Sequence, residues 1–61
     1  MSIREMLTYI MQNKGINQQQ LADLLGVDKA QITRWLDGVK PKQINTITIY
    51  NIYTETKHEK K

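Results

Sequence analysis

Only three residues, Gly26, Val27 and Asp28, separate two short runs of helical periodicity, and this junction constrains the fold more than any other part of the 61-residue chain. Before it, Leu21, Ala22, Leu24 and Leu25 make a buried face; after it, Ile32, Trp35 and Leu36 share another. A chain that ends one helix and starts the next this quickly needs a positive φ in the turn, which Gly26 supplies without strain. Asp28 is a natural N-cap for the restart. Gly38 closes the second run, and Pro41 prevents its continuation. The spacing therefore predicts a helix of about eight residues opening at Asn17 and a second from about Asp28 to Asp37.

Upstream, Ser2 and Glu5 form the S-x-x-E capping pattern, with Met1 and Met6 at the positions of a hydrophobic staple. Ile3, Met6, Leu7, Ile10 and Met11 draw one apolar stripe, and Lys14 and Gly15 mark its end. Asn17 and Gln20 repeat the capping box for the next helix, with Ile16 and Leu21 as its staple. The chain is mainly α through residue 41.

Downstream, local evidence points elsewhere. Ile44, Ile47, Ile49, Tyr50, Ile52 and Tyr53 spread all round a helical wheel, and a composition rich in Ile, Thr and Tyr favours strand. As a strand, Ile47, Ile49 and Tyr53 share one face and Ile44, Tyr50 and Ile52 the other. Residues 1–56 are read as one domain and 57–61 as a charged tail that solvates rather than folds.

A chain this short buries only about 60% of its unfolded surface. Without cysteine it has neither disulfides nor thiolate zinc, so helix packing or a partner subunit must hold it. The formal charge of +3 favours a polyanionic partner. No apolar run approaches the roughly 18 residues of a membrane span, and no signal peptide is visible, so a soluble cytoplasmic protein is expected. There is no cysteine nucleophile, phosphate loop or metal cluster. His58, the one histidine, lies in the charged tail, and Glu5, Asp23, Asp28 and Asp37 have cap or surface explanations. No catalysis, cofactor, metal or small-molecule ligand is expected.

The stretch from Gln18 to Asp37 resembles the helix-turn-helix of phage lambda-type repressors and Cro proteins, the Xre-like group. The resemblance rests on a small residue, Ala22, at the helix crossing and on Gly26 in the turn. Val27 and Ile32 follow as apolar residues, Gln18 is the opening polar residue, and Trp35 precedes Leu-Asp-Gly. It is good over residues 2–41 and weak beyond, where Tyr50, Asn51 and Thr54 stand in places usually held by Ile, Ala and Leu. It implies that 44–54 is a short fourth helix, with Ile44, Ile47 and the tyrosines packed on Trp35 and the first helix. A Cro-like strand pairing across a two-fold axis stays open.

The resemblance also implies a double-stranded DNA partner, bound by a regulator of bacterial or phage-infected cells that can act as a homodimer. Packing of Ile32, Trp35 and Leu36 inward leaves Ala30, Thr33, Arg34 and Asp37 outward, flanked by Lys29 and Gln31. In this motif the second helix lies in the major groove. Lys29 and Arg34 suit guanine, Gln31 suits adenine, and Ala30 and the Thr33 methyl suit thymine methyls. Phosphate contacts are expected from Gln18, at a helix N-terminus, and from Lys40 and Lys42. Lys57, Lys60 and Lys61 could add non-specific attraction. Two other readings remain: a protein-interaction module of the antirepressor kind, and an architectural or recombination accessory protein.

Overall fold

The computed structural model describes residues 2–59, which form four helices: α1 (Ile3–Lys14), α2 (Gln18–Leu25), α3 (Lys29–Leu36) and α4 (Gln43–Glu59). Met1, Lys60 and Lys61, and with them half of the first expected staple and two tail lysines, lie outside the described residues.

Both expected capping boxes form. Ser2 Oγ accepts from the Glu5 N–H at 3.1 Å, and the Glu5 carboxylate accepts from the Ser2 N–H at 3.0 Å. Asn17 Oδ1 accepts from the Gln20 N–H at 2.8 Å, and Gln20 Oε1 from the Asn17 N–H at 2.9 Å. Gly26, at φ 74°, turns the chain from α2 towards α3. Asp28 stands at the α3 N-cap with extended backbone, but its side chain makes no cap hydrogen bond.

The core is one cluster. Leu7 and Ile10 of α1, Leu21 and Ala22 of α2, Ile32 of α3 and Ile49 of α4 are fully buried, joined by Met6, Trp35 and Tyr53. Leu25 and Val27 pack partly buried against it, so the apolar wedge between α2 and α3 is built as its residue types require. Ala22 is 0% exposed at that crossing, where a larger side chain would force the helices apart. Leu24, expected on the buried face, is instead 48% exposed.

The C-terminal segment is helical, and the Cro-like strand does not form. Ile49, Ile52, Tyr53 and Thr56 fall on one helical stripe, which packs on α1; a strand would divide them between two faces. The helix is longer than 44–54 and continues through Lys57, His58 and Glu59, residues expected to form a solvating tail. Two contacts with α1, distant in sequence, and one local to α4 extend it. Tyr53 meets Tyr9 edge-on, with ring centroids 5.2 Å apart at 70°. Lys57 Nζ lies 5.3 Å from the Tyr53 ring centre, and Glu59 pairs with Lys14 at 3.0 Å. Thr56, only 2% exposed, bonds its hydroxyl to the Ile52 carbonyl at 2.7 Å.

The packing expected of Ile44, Ile47 and Tyr50 is corrected. These three are exposed, at 67%, 49% and 58%, and α4 docks through Ile49, Ile52 and Tyr53 instead. A helix apolar all round can dock by either side, and the Tyr9 ring on α1 matches the Tyr53 side.

Candidate nucleic-acid interface

Helix α3 has a simple division of labour. Ile32 and Trp35 are buried and Leu36 is half-buried, which fixes the helix on the core. Lys29, Ala30, Gln31, Thr33 and Arg34 are all exposed. The two sets interleave at helical spacing, so anchoring the apolar stripe turns the polar stripe outward. All five residues expected to read bases therefore stand on one exposed surface, on a helix about 12 Å long.

A polar hollow flanks each end of α3. The first is lined by Asn17, Gln18 and Gln19 at the start of α2 and by Lys29 at the start of α3. The α2 capping box uses the Gln20 N–H, while those of Gln18 and Gln19 have no acceptor among the described residues. Two donors at a helix N-terminus beside a lysine make a place suited to an anion. The second hollow brings Gln31 and Arg34 together with Lys40, Lys42 and Asn45, and the Trp35, Val39 and Pro41 side chains complete its lining. Lys40 and Lys42 are exposed on the segment between α3 and α4. That segment is redirected after Gly38, at φ 106°, while the Val39 N–H bonds back to the Arg34 carbonyl at 3.0 Å.

Gln18 is half-buried, and its Oε1 accepts a hydrogen bond from the Thr33 hydroxyl at 3.0 Å. The same hydroxyl lies 3.3 Å from the Lys29 carbonyl one turn earlier on α3. This link between the opening residue of α2 and the middle of α3 has no trace in the local sequence, because fifteen residues separate its partners. Gln19 and Asn45, which line the two hollows, are likewise beyond sequence reasoning, since neither carries a charge or a motif position. Lys57 stands apart from this surface, over the Tyr53 ring.

Comparison with known proteins gives one match. A helix-turn-helix family model matches residues 7–51, which takes in α1 from Leu7 onward, α2, α3 and the first half of α4. No curated protein and no solved structure matches the chain.

Proposed function

Because the chain belongs to the Xre-like, lambda-type helix-turn-helix family of DNA-binding domains, we propose that it is a sequence-specific transcriptional regulator, a small phage- or plasmid-type repressor of the Cro kind. The observation that carries this reading is the exposed polar surface of α3, with a cationic hollow at either end. Five outward side chains on a short helix can reach base edges in a major groove about 12 Å wide. The hollows, with Gln18 and Lys29 at one end and Lys40 and Lys42 at the other, can grip the phosphates on both sides of it.

In this reading Lys29, Ala30, Gln31, Thr33 and Arg34 read bases, and Gln18, Lys40 and Lys42 hold the backbone. Ala22, Gly26, Val27, Ile32 and Trp35 set the angle at which α3 is presented. Cytoplasmic action in a bacterial or phage-infected cell belongs to the same proposal. Among the described residues no helix is long and apolar enough to cross a membrane. Binding as a homodimer belongs to it as well, with half-sites about 10 base pairs apart or a multiple of that.

Selection from a pool of random duplex DNA at two salt concentrations tests the proposal. An enriched palindrome is the expected result and gives the operator. A single short motif would keep the regulator and remove the dimer. Strong binding at low salt without enrichment would replace it with an architectural role. No binding at either salt would overturn it in favour of a protein partner.

A further inference from the structure

The Thr33 hydroxyl has one proton to donate, and two acceptors stand around it: Gln18 Oε1 at 3.0 Å and the Lys29 carbonyl at 3.3 Å. Both lie within the protein, one on α2 and one on the backbone of α3 itself. With its proton turned to them, the hydroxyl cannot donate to a ligand such as thymine O4, and this exposed side chain keeps its γ-methyl and the oxygen's lone pairs for contact. Gln18 is constrained by the same bond. Its side-chain oxygen is taken by Thr33, while its amide N–H groups have no acceptor among the described residues and belong to a residue lining the hollow with Lys29. A carboxamide that accepts on one side and donates on the other suits a phosphate oxygen only through its nitrogen.

We propose that Gln18 and Thr33 act as one recognition unit, in which the shared hydrogen bond makes Thr33 a reader of pyrimidine C5-methyl groups and points the Gln18 amide donors at the DNA backbone. The inference rests on the DNA-binding reading above and deepens it by coupling the two positions through one hydrogen bond, which excludes Thr33 as a donor to the base. At the base pair facing Thr33, thymine is chosen for its methyl rather than for O4. Removing that methyl weakens binding, and adding one to a cytosine at that place strengthens it.

The test is a methyl scan of the selected operator. Each thymine is replaced in turn by deoxyuridine and each cytosine by 5-methylcytosine, and binding is measured by fluorescence anisotropy for wild type and three variants. One buried methyl is worth about 0.8 kcal/mol, so wild type should show a methyl effect of about fourfold at one position per half-site. Thr33→Val, which has a methyl on both branches and so presents one without the hydrogen bond, should retain the effect, and Thr33→Ser, which has none, should lose it. Gln18→Glu keeps an acceptor for the Thr33 proton but loses the donors; it should weaken binding to every sequence and leave the methyl effect in place. A methyl effect that survives Thr33→Ser, or none anywhere in the operator, overturns the inference and leaves the DNA-binding reading standing. A chain that selects no duplex at all overturns both.

Discussion

Lys14 closes α1 and Glu59 closes α4, and their side chains meet 3.0 Å apart. Together with the Tyr9–Tyr53 contact further back, this fixes the two helices side by side and running in the same direction. Glu59 stands near the negative end of its own helix dipole, an unfavourable place for a carboxylate, and the ammonium beside it offsets that cost. Glu59 is exposed and Lys14 half-buried, and such pairs at the surface are worth at most about 1 kcal/mol. Lys14→Ala should therefore lower thermal stability slightly in dilute buffer. The difference should vanish at about 1 M salt, where the Debye length is about 3 Å; calorimetry at the two salt levels checks it.

The two sides of α4 should respond oppositely to truncation. Ile49 is 0% exposed, and Ile49→Ala should cost about 2–5 kcal/mol. Ile44 is 67% exposed, and Ile44→Ala should stay within about 0.5 kcal/mol of wild type. Urea titrations followed by Trp35 fluorescence measure both. The reverse order, with Ile44→Ala the costlier, would mean that α4 docks by its other side.

At the turn, a Cβ built on Gly26 meets nothing within 4 Å, so a substitution there has only the positive φ of 74° to contend with. Gly26→Ala should cost about 1–2 kcal/mol, and Gly26→Asn less, since asparagine tolerates this region better. Ala22→Leu should cost at least about 1–3 kcal/mol for the contrary reason, overpacking at a closed crossing. Melting temperatures of the three variants rank them.

On DNA, the two kinds of contact proposed should separate by salt and by sequence. Arg34→Ala should lose about 1–3 kcal/mol on the selected operator and relax the preference at one position. Lys42→Ala should weaken all sequences alike and reduce the salt slope by about one. Anisotropy titrations on operator and scrambled duplexes across a salt series distinguish them.

Glu5 gives the fold an acid-sensitive cap. The Ser2 N–H donates to its carboxylate, and this bond holds the Glu5 pKa below the ordinary glutamate value. A depressed pKa contributes stability that is complete above the unfolded-state value and is lost as pH falls through the folded one. The melting temperature should decline on acidification through the carboxylate range. Glu5→Gln, which keeps a neutral capping box, should flatten part of that decline.

Three of the four helices were legible because their determinants are local. Ser2 with Glu5, Asn17 with Gln20, and Gly15, Gly26 and Gly38 as stops act within a turn of the residues they govern. The outward set on α3 followed from the inward pair Ile32 and Trp35, which periodicity reveals. The fourth helix was harder because its apolar residues lie all round it, so sequence alone could not say whether Ile44 or Ile49 faces the core. Tyr9, more than forty residues away, is what Tyr53 packs against. The Gln18–Thr33 bond was hidden for the same reason. Each residue could be given a separate role from its position, but their union depends on the angle at which α2 and α3 cross.

Helix α3 is held by two buried side chains and one half-buried one, while five of its eight residues carry no burden of packing. Under the proposed function, target choice and folding are thus written on different letters of the same short word. Of the five, only Thr33 is tied to a neighbouring helix, through Gln18. Lys29, Ala30, Gln31 and Arg34 can be exchanged with little penalty in stability, so under the proposed base-reading role a lineage built on this scaffold would drift from one operator to another by single replacements while the rest of the molecule stays as it is.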